Sequence, residues 1–283
     1  MNEKHILDYV YNYIGRFIVY PSIHAQVAHT LWIAHTHLID AFYTTPRLAI
    51  VSAEKQSGKT RLLEITKLLV QNPLASMNMS SAAMYTAVDQ METTPTILLD
   101  EIDRLFEKKE TADITGLLNA GFQRGEKAYR CLYDGKRELE AIEAFCPVLL
   151  SGIDKQIPDT ILDRSIIIRM KRRSQNEGIE PYRPRDNEQE GILLREKLTE
   201  WAKEVLENAK TLRPGLPSGI EDRNADKWEP LFTVADLADA TPVPEVPNVP
   251  CSVGCVWGVG LDKLQQHSSK RKCHQNLVEV SCD

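Results

Sequence analysis

The residues best suited to chemistry lie between positions 47 and 60. Arg47-Leu48-Ala49-Ile50-Val51-Ser52 is an apolar run, Ala53-Glu54-Lys55-Gln56-Ser57 a small polar turn, and Gly58-Lys59-Thr60 opens a stretch to Val70 with apolar residues at helical spacing. A strand, a loop and a helix joined through Gly-Lys-Thr form the end of a phosphate-binding loop, in which backbone N–H groups and a helix N-terminus cradle phosphate oxygens. Gln56, Ser57, Gly58, Lys59 and Thr60 are therefore the candidate phosphate binders, with Lys59 reaching the β- and γ-phosphates of ATP and Thr60 holding Mg²⁺. The first glycine of G-x-x-x-x-G-K-[ST] falls on Ala53. Alanine does not adopt positive φ cheaply, so the loop is expected to enter its turn differently or under strain.

A second element completes the pattern. Thr96-Ile97-Leu98-Leu99 is an apolar strand ending in the carboxylates Asp100 and Glu101. Asp100 suits a Mg²⁺ holder, and Glu101 suits the base that polarises an attacking water. A buried strand followed by an exposed acidic turn is the plainer alternative. Ser151, ending the apolar run from Ala144, would emerge beside the acidic strand, where ligands bind in an open parallel sheet, and could orient the water. Arg164, between a short helix-like turn and the strand Ser165–Met170, is the candidate arginine finger for a neighbouring active site. Its alternative is local pairing with Asp163 or Asp159.

The elements that must position these groups follow from periodicity. Two helical stretches run from Ile6 to about Tyr43, the second with Ser22 as N-cap. His24, His29, His35 and His37 lie there without acidic or cysteine companions at fixed spacing, which favours hydrogen-bonded or solvated histidines over a metal site. Ala75–Met79 reads as a short strand and Ser80–Val88 as a capped helix; a further helix spans Ala112 to about Phe122, with Arg124 in a glycine-bounded corner. Strands are expected near Ala128–Tyr133 and Ala144–Ser151, with Asp134-Gly135-Lys136 as a hairpin-type turn between them. After Lys171-Arg172-Arg173 comes a linker of Gly, Pro, Asn and charges, then helices over about Glu190–Leu212 and Ala225–Ala238, from which Arg195 or Arg223 could reach back to the phosphates.

The organisation expected is a helical segment over 1–45, a phosphate-loop core over 46–173, a linker over 174–190, a helical lid over 191–239 and a Pro- and Cys-rich tail over 240–283, expected to be disordered. The fold class is α/β: a three-layer nucleotide-binding domain with a parallel sheet, the acidic strand being brought beside the site by one intervening strand. With 42% hydrophobic and 26% charged residues among 283, the composition is that of a globular protein, without a transmembrane-length run or a signal-peptide layout. A cytoplasmic location is expected, with Cys131 and Cys146 reduced in the core. The net charge of −6 neither supports nor excludes nucleic acid, because a ring can confine basic groups to its pore. Cys251, Cys255, Cys273, His274 and Cys282 in the tail offer a zinc alternative at a spacing that matches no strong template; a shifted reading frame is another source for such a tail.

Taken together, His29–His37, Ser57–Thr60, Leu98–Glu101, Leu117–Gly121, Ile157–Thr160 with Asp163–Ser165, and Asp222-Arg223 with Trp228–Leu231 resemble a P-loop family designated only as a domain of unknown function. It occurs in actinobacteria, their phages and mobile elements, often beside or fused to primase-polymerase modules. The resemblance covers roughly Ile6 to Asp239. It implies an ATPase similar to AAA+ and superfamily III helicase cores, using ATP and Mg²⁺, assembled as a ring and acting on single-stranded DNA or a replication fork. Members usually keep a glycine where this chain has Gln56. A nucleotide-dependent switch or loader, and a decayed inactive copy, are the alternatives to a motor.

Overall fold

The computed structural model describes residues 5–54, 57–76, 80–102, 106, 111–133, 137–153, 157–172 and 178–240. Gln56, the turn Asp134–Lys136 and the tail beyond 240, with its cysteines, therefore lie outside the described residues.

The chain opens with α1 (Ile6–Phe17) and α2 (Ile23–His37). His5 caps α1, its Nδ1 accepting the Leu7 N–H at 3.2 Å, and Ser22 caps α2 as expected, its Oγ accepting the Ala25 N–H at 3.1 Å. There follow β1 (Arg47–Ser52), α3 (Lys59–Leu69), β2 (Pro73–Ser76), α4 (Ser81–Gln90), β3 (Thr96–Leu99) and α5 (Thr111–Ala120). The strands β4 (Lys127–Tyr133), β5 (Arg137–Glu143) and β6 (Val148–Ile153) come next, then α6 (Asp159–Leu162), β7 (Ser165–Arg169), α7 (Pro184–Thr211) and α8 (Asp222–Ala240). The helix expected from Glu190 begins at Pro184, because proline is at home in the first helical turn, where no intrahelical N–H bond is lost. The strand expected from Ala75 starts two residues earlier, with Pro73–Ser76 pairing with β3; Met77–Met79 of that expectation lie outside the described residues.

Five strands form one parallel sheet in the order β2-β3-β6-β1-β7. The acidic strand β3 is separated from β1, the strand that leads into Gly58-Lys59-Thr60, by β6 alone. Side chains alternate across the sheet, and each face has its own core. Leu48, Ile50, Leu98, Leu149, Ile166 and Ile168 pack against α1, α2, α3, α7 and α8. Ala49, Val51, Ile97, Leu99, Val148 and Leu150 pack against α4, α5, α6 and the inner side of a hairpin. The result is the three-layer α/β arrangement.

That hairpin corrects the sequence reading. The strand from Ala128 pairs antiparallel with Arg137–Glu143, Lys127 opposite Glu143, and not with the strand that bears Ser151. The charged run Arg-Glu-Leu-Glu-Ala-Ile-Glu is strand because a two-stranded ribbon needs only one sheltered side; Ala128 and Ile142 are buried, whereas Tyr129 and Leu139 stand in solvent.

Candidate active site

Strand register builds the site. Leu99 lies opposite Leu150 and Ile50 opposite Ser151, so the carboxyl ends of β1, β6 and β3 stand side by side, and α3 starts from the same edge. Asp100 is the first residue beyond β3 and is buried; its main chain is held by Asp100 N–H to Ser76 O at 3.2 Å. Its carboxylate is shared between two hydroxyls. Ser151 Oγ, wholly buried, donates to Oδ1 at 2.9 Å, and Thr60 Oγ1 lies 3.3 Å from Oδ2. The Glu101 N–H also donates to Oδ1 at 2.9 Å, and Glu101 itself sits at φ 51°, the left-handed region that a non-glycine residue enters only at a cost.

The loop is organised by hydroxyls. Ser52 Oγ donates to the Glu54 carbonyl at 2.7 Å, Ser57 Oγ donates to Ser52 Oγ at 3.0 Å, and Lys59 Nζ reaches Ser52 Oγ and, at 3.4 Å, Ser57 Oγ. Gly58 takes φ 88° at the head of α3. Of the two expectations for Ala53 the loop takes the first, entering its turn without positive φ there: among the described non-glycine residues positive φ occurs at Asn72, Glu101 and Asp222. Ser52 is the participant that sequence reasoning missed; a hydroxyl ending an otherwise apolar strand was the available signal.

Thr60 and Asp100 present hard oxygen donors side by side at the head of α3, a donor set that fits Mg²⁺, which binds proteins through one or two such groups plus phosphate oxygens.

Arg164 lies elsewhere. Its Nη1 donates to the Thr160 carbonyl at 2.7 Å and its guanidinium faces the Phe122 ring at 6.0 Å. Arg223 pairs with Asp163 at 2.7 Å. Both arginines line a cavity of about 380 Å³ with Asn119, Gln123, Glu126 and Asp226, so Arg223 does not turn toward the loop before α3. The proximity of Arg223 and burial lower the Arg164 pKa, burial being the larger cause. Arg124 is tied to the carbonyls of Phe42 at 3.1 Å and Ile39 at 2.9 Å, as a helix-end anchor.

The histidines of α2 are framework groups. His29 is bridged by Tyr20 Oη at 2.6 Å and Thr66 Oγ1 at 2.9 Å; His37 meets Thr199 Oγ1 at 3.1 Å and the Leu69 carbonyl at 2.7 Å. Burial pushes His29 and His35 down to about 3 and His37 down to about 4. Cys146 is a buried thiol, pushed up to about 11 by burial. Among the described residues no helix is long and apolar enough to cross a membrane.

Among known proteins, 69 residues of this chain are 38% identical to a protein of Saccharopolyspora erythraea described as an uncharacterised 28.9 kDa protein in a xis 5′ region. That stretch is 24% of this chain and 26% of that relative. The apo structure of the NrS-1 C-terminal region is matched over 99% of this chain and 63% of that one, with 12% identity and a TM-score of 0.38. A structure of JCV helicase is matched over 91% of this chain and 66% of that one, with 11% identity and a TM-score of 0.32. This chain thus spans less than two thirds of the first structures it matches. Residues 169–251 match a family described as a protein of unknown function, DUF3631.

Proposed function

We propose that this chain binds ATP with Mg²⁺ and hydrolyses it, as a helicase-like ATPase that works on nucleic acid. One observation carries the reading: a single buried carboxylate, Asp100, bridges Thr60 at the head of the phosphate-loop helix and Ser151 at the end of the neighbouring strand.

Each residue then has a task. Ser57, Gly58 and Lys59 hold the phosphates, Lys59 exchanging its serine hydroxyls for phosphate oxygens; Gln56 is proposed with them from the sequence. Thr60 and Asp100 hold the metal, which when bound neutralises developing charge on the transferred phosphoryl group. Ser151, by fixing Oδ1, leaves Oδ2 aimed at Thr60 and stands beside the place of attack. Glu101 takes the proton of the attacking water, and its left-handed backbone turns it away from the strand path. Arg164, far from its own loop on a polar cavity, would complete the site of a neighbouring copy in a ring. The nucleic-acid role rests on the motif resemblance.

ATP hydrolysis by the full chain, with and without single-stranded DNA and beside Lys59→Ala, tests this. Turnover that rises with DNA and is lost in the variant supports the motor. ATP binding without turnover points to a switch, and neither binding nor turnover defeats the reading.

A further inference from the structure

The Ser52 hydroxyl spends its whole hydrogen-bonding capacity on the chain that follows it. Ser52 closes β1 and is buried. A hydroxyl has one hydrogen to give and two lone pairs with which to accept. The hydrogen goes to the Glu54 carbonyl at 2.7 Å; one lone pair takes the Ser57 hydroxyl at 3.0 Å and the other a hydrogen of the Lys59 ammonium. Glu54 lies just past the strand, Ser57 immediately before Gly58, and Lys59 in the first turn of α3. One oxygen atom therefore joins the end of β1 to both sides of Gly58, where the backbone takes φ 88°.

The anchor itself is firmly seated. β1 lies between β6 and β7, with Ser52 opposite Ile153, and the Val51 carbonyl accepts the Met170 N–H at 2.8 Å. Ser57 is buried as well, so the contact between the two hydroxyls is sheltered from competing water.

We propose that Ser52 is a positioning residue for phosphate binding: it sets Ser57 and Lys59 in the arrangement that meets phosphate oxygens before any phosphate arrives. The proposal rests on the phosphate-loop reading above. Two effects oppose each other, and their sizes decide the sign. Lys59 has to leave Ser52 for a phosphate oxygen, which works against binding. That effect is small, because the ammonium is half-buried and lies 3.4 Å from Ser57 Oγ, so without Ser52 it keeps an acceptor and solvent. The contacts of Ser52 with Ser57 and Glu54 need not break, and without them an arriving phosphate must order the chain as it binds. Ordering the backbone of a single residue costs about five- to thirtyfold in an equilibrium constant. Preorganisation is the larger effect, and losing the hydroxyl weakens binding.

Calorimetric titration of the full chain with ATP and with inorganic triphosphate, in Mg²⁺, tests this for Ser52→Ala, Ser52→Thr and Lys59→Ala, beside steady-state ATP hydrolysis. Ser52→Ala is expected to weaken ATP and triphosphate alike by about tenfold. KM should rise by a similar factor and kcat fall far less, as when an interaction common to ground and transition states is removed. Ser52→Thr, which returns a hydroxyl, is expected to restore most of the lost affinity. A hydroxyl that served stability alone would lower the urea midpoint and leave both affinities in place. That result overturns the proposal, and so does tighter binding by Ser52→Ala or a fall in kcat at unchanged KM. Failure of the phosphate-loop reading has a different signature: the unaltered chain binds neither triphosphate nor ATP, or binds both without response to Lys59→Ala, and the proposal falls with it.

Discussion

At the scale of single residues, the site turns on one carboxylate with both oxygens engaged. Glu101, directly after it, carries the reading of hydrolysis, and its replacement separates chemistry from binding. Glu101→Gln keeps shape and removes the base, so turnover is expected to fall by about 10²–10⁴ while ATP affinity stays in place; steady-state hydrolysis and an ATP titration check both halves. Unchanged turnover would remove Glu101 from its role. Lys59, Thr60, Asp100 and Ser151 were all legible as candidates because their types and spacing are chemical. Ser151 was read only as emerging beside the acidic strand; its contact with Asp100 was not legible, since two residues 51 positions apart meet only through strand register. Ser52 carried only the signal of a hydroxyl ending an apolar strand, which did not single it out, because a strand-end serine has many possible uses.

At the scale of elements, the join between α5, β1 and the segment leading into β6 is held by a buried cation. Arg47 donates to the Leu118 carbonyl at 2.8 and 3.2 Å and to the Cys146 carbonyl at 2.7 Å, and burial pushes its pKa down to about 10. Gly121 lies against it: a Cβ there would collide with the Ala144 carbonyl oxygen and come within 2.7 Å of Arg47 Nη2. Gly121→Ala is accordingly expected to cost about 1–3 kcal/mol in urea unfolding. Gly116→Ala, inside α5 and with open space around it, is expected to stabilise by about 0.5–1 kcal/mol. If both changed stability alike, the collision would not be the cause. Helices with a clear apolar face were readable from sequence; β5 was not, because its charged residues satisfy a ribbon that has little interior to declare itself.

At the scale of the whole molecule, four histidines are held neutral by burial. His5 and His37 are pushed down to about 4, His29 and His35 to about 3. The unfolded chain binds protons on these groups near pH 6.5 and the folded chain does not, so their contribution to stability is present above that pH and is lost as pH falls toward 4 and below. Each can contribute a slope of up to about 1.4 kcal/mol per pH unit in that window. Urea midpoints measured from pH 7.5 to 4.5 are expected to fall, and His29→Gln to flatten the fall; a midpoint flat across that range would contradict burial of these rings. Sequence placed His29, His35 and His37 on a helix, but their depth depends on the elements that pack over α2, α3 at His29 and α7 at His37 among them, which no local pattern records.

Helices α1 and α2 share their core with α7 and α8, and Tyr13 Oη finds its acceptor, the Asn187 carbonyl, 174 residues further along the chain. At about 5–20 residues per second, roughly 10–35 s of synthesis separate the two. Throughout that interval a growing chain displays the sides of its first helices that α7 and α8 will cover, with neither yet made. Such a protein is exposed to chaperones and to aggregation on the ribosome itself, and slowing translation ahead of α7 should lower its yield more than slowing it afterwards.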